Sequence, residues 1–263
     1  MLGKLLKYDL KWIYKLLIVF YVLGISFSLI GRGLSEIENS LVFNILGQIC
    51  KGTAVAMVVN VLINNLMRVW VRFNKNIYKD EAYLTHTLPV SKKDIYLSKI
   101  LSAVISIVTS AIVMVICIAI CYYSNDIIEY IKTALEFVAN TYNSTVVGFL
   151  AIVCTVFFLE IIFVLMAGFI GLIIGHKSNN YKMVKSVIYG FIAYLIPQIV
   201  TLGLMYIIGL FNQDIMNLFN TTQIVNVEII KTIMYYAIAI YLAYIVIYYF
   251  IGKIQFEKGV NVD

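Results

Sequence analysis

Charged side chains are scarce in this chain: they make up 13% of its 263 residues, while 62% are hydrophobic and the mean hydropathy is +0.93. An ordinary soluble domain carries about 25% charged residues. The shortage excludes a water-soluble globule, which could not hide repeated apolar runs of about 20 residues, each long enough to cross ~30 Å of hydrocarbon. Histidine is nearly missing. His86 and His176 stand alone, with no acidic or cysteine cluster near either in sequence, so nothing supports a zinc site or an activated nucleophile. The four cysteines, Cys50, Cys117, Cys121 and Cys154, fall in or beside apolar runs without metal or redox spacing. They read as small buried hydrophobes.

A phosphate-binding loop is missing too. The nearest approach, "GLIIGHKS" from Gly171 to Ser178, has three residues between its glycines and places His176 before Lys177. Such a loop needs four residues followed at once by Gly-Lys, so that backbone amides wrap the phosphate, and it follows a strand rather than a long apolar helix. Ala167, Gly171 and Gly175 instead form a small-residue ridge suited to close helix packing. No polar segment is large enough for an independent soluble domain, and the chain is read as one transmembrane domain, 1–263. No catalytic, cofactor or metal residues are assigned to it.

What the chain has is span after span. Apolar length predicts an all-α integral membrane protein with six transmembrane helices, at about 12–31, 52–72, 98–123, 146–174, 187–211 and 229–252. The connections alternate in charge. Sixteen of the twenty basic residues lie on one side, from Lys4, Lys7, Lys11 and Lys15 through Arg68–Lys99 and Lys177–Lys185 to Lys253 and Lys258. The other side holds Arg32, Lys51, Lys132 and Lys231 with seven acids: Glu36, Glu38, Asp126, Glu129, Glu136, Asp214 and Glu228. The positive-inside rule then makes both termini cytoplasmic. The net charge of +6 is a topology signal and gives no reason to expect nucleic-acid binding; the basic, aromatic stretch near Arg68–Lys79 abuts a span, where cations meet lipid headgroups.

The first apolar run, "LLIVFYVLGISFSLIGRG", is too long for a cleavable signal segment and lacks an A-x-A-like site. Residues 1–11 set Met1, Leu2, Leu5 and Leu6 opposite Lys4, Lys7 and Lys11, which predicts an amphipathic interfacial helix; the alternative is an extension of the first span. Between spans three and four, Ile127, Ile128, Ile131, Leu135 and Val138 recur at helical spacing and predict an external interfacial helix. Short external helices are also expected in "FNQDIMNLFNTTQIVN". The sequons at Asn143 and Asn220 matter only in a secreted or eukaryotic setting. The abundance of Ile, Asn, Lys and Tyr suggests an AT-rich bacterial genome and hence a bacterial plasma membrane.

Some polar groups fall inside the spans. Thr53, Asn60, Asn64 and Arg68 share a face of span two, with Asn65 beside it, and Glu160 stands alone near the middle of span four. Asn60, Asn64, Asn65 and Glu160 are candidates for a translocation path, Glu160 also for a proton relay or cation site. Inter-helix hydrogen bonding is the competing reading for all of them. Pro197, with Gln198 and Thr201, marks a kink in span five because proline frees a backbone carbonyl.

The stretch "EAYLTHTLPVSKKDIYLSKIL", residues 81–101, is polar, basic and broken by proline. Pro89 ends any helix arriving at Leu88, and Ser91 with Asp94 forms a capping box that starts the next one. Its apolar residues amid charge suit either a docking helix for a soluble partner or a loop resting on lipid. This stretch resembles the cytoplasmic loop after the second span in permeases of the ABC type-2 exporter family, and the six-span layout is similar. That resemblance implies a cytoplasmic coupling helix with Tyr83, Leu84, Thr87, Leu88 and Pro89 contacting an ABC ATP-binding subunit, residues 177–185 serving as a secondary contact. It also implies ATP and Mg²⁺ in that partner rather than here, a second permease copy or sibling, and rigid-body alternating access. The function it implies is the membrane subunit of an ATP-driven exporter of a hydrophobic or amphipathic cargo, such as an antimicrobial peptide or toxin. The alternatives are an ion- or proton-coupled secondary transporter using Glu160, or a non-transporting membrane scaffold or sensor.

Overall fold

Long runs of Ile, Leu, Val and Phe favour helix when backbone polar groups must be satisfied within the segment. The computed structural model describes residues 1–37, 40–141, 145–216, 219 and 227–259, and its regular structure is entirely helical among them. Glu38 and both sequon asparagines lie outside the described residues. Six helices are long and apolar enough to cross a membrane.

The chain divides into two compact units, Met1–Glu129 and Tyr130–Asn261. The first holds α1 (Leu2–Ser35), α2 (Leu41–Ile77), the short α3 (Ala82–Thr87) and α4 (Lys92–Tyr122). Here α1 packs on both α2 and α4, and α2 on α4, and the core of the unit holds the buried Ile13 and Leu17 of α1, Val58, Val61, Val69 and Phe73 of α2, and Ala103 and Ile107 of α4. The amphipathic helix α5 (Asn125–Thr141) follows as expected, and nearly all its side chains are exposed.

The second unit holds α6 (Val146–Gly175), α7 (Lys182–Phe211), the single turn α8 (Gln213–Met216) and α9 (Val227–Glu257). Of the short helices expected before the last span, only α8 is described; the rest of that segment falls mostly outside the described residues. The Thr145 hydroxyl starts α6 by accepting from the Gly148 N–H at 3.1 Å. Along α6 the small-residue ridge meets α7 directly: a Cβ at Gly171 would lie 2.4 Å from the Gly190 Cα, and one at Gly175 would lie 2.4 Å from the Ser186 Cα. Only glycine permits that approach. His176, next in the chain, is buried and shares its Nδ1 between the Leu172 carbonyl at 2.9 Å and the Ser186 hydroxyl at 3.1 Å.

The first eleven residues differ from the expectation of a separate interfacial helix. They continue α1 without a break, which is the extension alternative. Nothing between Lys4 and Leu34 stops a helix, and the 34 residues span about 51 Å at ~1.5 Å each, well beyond the hydrocarbon. One turn of that extension carries the residue on which the basic end of this unit is built.

Candidate functional site

Asp9 is the only acid among the four lysines that open the chain, and it is 2% exposed. A carboxylate this deeply buried must be paired. Its Oδ1 accepts from Arg72 Nε of α2 at 3.0 Å and from Lys99 Nζ of α4 at 2.6 Å, and its Oδ2 lies 3.5 Å from the Ser98 hydroxyl. Arg72 reaches onward: its Nη1 donates to Glu81 Oε2 at 2.6 Å, an oxygen that also accepts from Asn76 Nδ2 at 3.0 Å. Two cations and two carboxylates thus join α1, α2 and α4 to the residue that opens α3. Above them the Trp12 ring carries the guanidinium of Arg68 at 4.4 Å and that of Arg72 at 5.3 Å. Burial draws the Glu81 carboxyl upward, but the Asn76 hydrogen bond and the charge of Arg72 outweigh it and hold the group below the usual carboxylate range.

On that base sits α3. Ala82 and Thr85 point inward, and the Thr85 hydroxyl donates to the Glu81 carbonyl at 3.0 Å. The opposite side carries Tyr83 and Leu84, 78% and 67% exposed, with Thr87, Leu88 and Pro89 exposed after them. Leu88 is extended, at φ −65° and ψ 138°, so the helix ends before Pro89. Ser91 then accepts from the Asp94 N–H at 3.1 Å and α4 begins. The stop and capped restart are therefore present, and the five residues singled out in the sequence are all exposed.

The intramembrane candidates do not share one environment. Asn65 is fully buried and binds α4: its Nδ2 donates to the Ser110 hydroxyl at 2.8 Å and its Oδ1 accepts from Ser106 at 3.0 Å. Tyr21 of α1 completes this network at 2.7 Å from Ser110, and Tyr14 pairs with Thr109 at 2.8 Å. Asn65 thus does the work of helix packing. Asn60 and Asn64 lie on the outward side of α2 and return their amides to its own carbonyls, at 3.0 Å to Ala56 and 2.9 Å to Asn60. Glu160 belongs to the second unit, half-buried on α6 and within electrostatic reach of Tyr241 of α9. The secondary stretch 177–185 is also in the second unit and exposes Tyr181, Met183 and Val184.

No family model matches the chain, and neither does any curated protein or solved structure.

The charged cluster is the part sequence reasoning missed. Arg72 and Lys99 count there only toward membrane topology, and Asp9 carries no role. Two signals were present: Asp9 interrupts a row of lysines, and Lys99 falls just inside the start of the third span, where a cation needs a partner. What no one-dimensional reading supplies is that positions 9, 72 and 99 meet. Pro197 shows the reverse. Proline removes the N–H that would satisfy the Ala193 carbonyl, and the Tyr248 hydroxyl of α9 donates to that carbonyl instead. Tyr244 also donates to the Pro197 carbonyl, at 3.1 Å.

Proposed function

We propose that the chain is the membrane-spanning subunit of a bacterial ATP-driven ABC exporter that moves a hydrophobic or amphipathic cargo. In this reading both termini are cytoplasmic, the permease pairs with a second copy or a sibling, and a separate ABC ATP-binding subunit supplies ATP and Mg²⁺. The observation that carries it is the coupling between α3 and the helices beneath it. An exposed apolar surface of Tyr83, Leu84 and Leu88 is anchored through Glu81 and Arg72 to Asp9 and Lys99. A force applied by a partner at α3 therefore reaches three spanning helices through short, charge-assisted contacts rather than through a slack loop.

The test is purification of the chain with its genomic neighbours. The expected result is an ATPase subunit that copurifies with the native chain and is lost from the double variant Leu84→Asp, Leu88→Asp. An ATPase retained by that variant would remove α3 from the docking surface, and no ATPase at all would remove the exporter reading. A second reading has its own observation: Glu160 takes part in no ion pair among the described residues. It favours an ion- or proton-coupled secondary transporter, and transport that continues without ATP would decide for it.

A further inference from the structure

Glu160 stands at the centre of α6, fourteen residues after its first, Val146. One turn on, the fully buried Phe163 ring is surrounded by tyrosines: Tyr194 of α7 at 6.0 Å, and Tyr241, Tyr244 and Tyr248 of α9 at 5.8, 5.8 and 5.5 Å between centroids. Between these helices is a cavity of about 60 Å³ lined by Phe163, Pro197, Gln198, Thr201, Tyr241 and Tyr244 among others. Its polar groups converge from two helices. Gln198 is hydrogen-bonded to Tyr241, which also lies within electrostatic reach of Glu160 and Tyr194. Tyr244 and Thr201 share a hydrogen bond of 3.1 Å, and each oxygen keeps a lone pair to offer.

We infer that this α6–α7–α9 cavity, together with Glu160 one helical turn before the Phe163 that lines it, binds the primary ammonium group of an amphipathic amine. A carboxylate at mid-span costs several kcal/mol unless something balances it, and no cation of the described residues does so. An ammonium supplies that charge and three N–H donors. The Glu160 carboxylate, the Gln198 carbonyl and the Tyr241 hydroxyl are the acceptors, and the rings of Phe163 and Tyr244, which line the cavity, add the attraction of aromatic faces for a cation. The space is on the order of a few water molecules, which suits an ammonium head and its first methylene. A quaternary ammonium is bulkier and has no N–H to give. The alkyl chain has apolar side chains to follow, since Ile196, Ile199 and Leu202 of α7 are exposed.

This inference rests on the exporter reading only for its consequence, the class of cargo; the binding event itself needs no ATPase. The experiment measures calorimetric titration of octylamine into the full chain in nanodiscs, corrected against empty nanodiscs, with octanol and octyltrimethylammonium as comparison probes. The expected result is saturable one-to-one octylamine binding that is at least tenfold weaker in Glu160→Gln and several-fold weaker in Gln198→Leu, and preserved in Glu160→Asp. Equal binding by Glu160→Gln, or octanol or octyltrimethylammonium binding as tightly as octylamine, would overturn it. Should Glu160→Gln fail to fold, Gln198→Leu and Tyr241→Phe carry the same test. Octylamine bound with no copurifying ATPase would leave this site standing while the exporter reading falls; an ATPase that copurifies with a chain blind to octylamine would do the opposite.

Discussion

The two units solve the same problem, holding long apolar helices together, by opposite means. The first relies on charge and amide at chosen depths, with Asp9 pairing Arg72 and Lys99, and Asn65 pairing Ser106 and Ser110. The second relies on shape, with Gly171 and Gly175 seated against Gly190 and Ser186, and on the Tyr248 hydroxyl that takes up the carbonyl freed by Pro197. Apolar contact alone gives little reason for one helix pairing over another where lipid is as apolar as leucine. Specificity has to come from polar partners or from close fit, and each unit has taken one route. The difference also tells where each can tolerate change: the first fails when a partner is removed, the α6–α7 contact of the second when an atom is added.

That contrast can be broken experimentally. Asp9→Ala is expected to have the largest effect, because it leaves the buried Lys99 without its counter-charge and Arg72 with Glu81 alone, at a cost of about 3–5 kcal/mol. A large drop in apparent melting temperature in detergent would show it. Replacing Asp9, Arg72 and Lys99 together by apolar residues of similar volume should recover most of that loss, and a triple variant as unstable as Asp9→Ala would contradict the pairing account. Gly175→Val comes next. Its Cβ would meet Ser186 backbone at 2.4 Å, so overpacking should cost about 1–3 kcal/mol or more; an unchanged melting temperature would deny the tight α6–α7 fit.

Tyr248→Phe should cost about 1 kcal/mol by returning the Ala193 carbonyl to an unsatisfied state. The effect should vanish in a background carrying Pro197→Ala, which restores the missing donor, and two additive losses would show that the hydroxyl serves another purpose. Acid offers a gentler probe of the first unit. Glu81 is held below its ordinary value of ~4.3, so its pairing contributes fully above that pH and is lost as the pH falls through the depressed value. The protection of α3 amides, observed exchange set against the intrinsic rate at each pH, should therefore fall on acidification below pH ~4 in the native chain and be already low, without that fall, in Glu81→Gln. The smallest effect belongs to Arg32→Ala: the exposed Arg32–Glu36 pair at 2.9 Å should contribute no more than about 0.5 kcal/mol.

How much of this could be read from the sequence depended on whether the signal was local. The α6 span, the Ser91 cap and the stop before Pro89 were legible because each is decided within a few residues by apolar length, a side-chain oxygen or a proline ring. The glycine ridge was legible as a ridge, but its partner face of Ser186 and Gly190 was not. The amides of α2 show the limit most clearly. Asn64 and Asn65 are neighbours in sequence, yet one turns back onto its own helix and the other is buried against α4. Helix periodicity separates the two by about 100°, but only the position of α4 says which direction is inside. The same holds for Asp9, whose partners are 63 and 90 residues away.

The seating of α6 on α7 has a consequence for how the protein is made. The two helices are joined by residues 176–181, and the contact at Gly175 and Ser186 lies at the first turns beside that connection. An antiparallel hairpin whose tightest contact is at its tip can close as soon as the second helix starts to emerge from the ribosome. By then α6 already offers the surface on which α7, with its proline and glutamine, is received. The less apolar of the two spans would then enter the bilayer with a companion rather than alone.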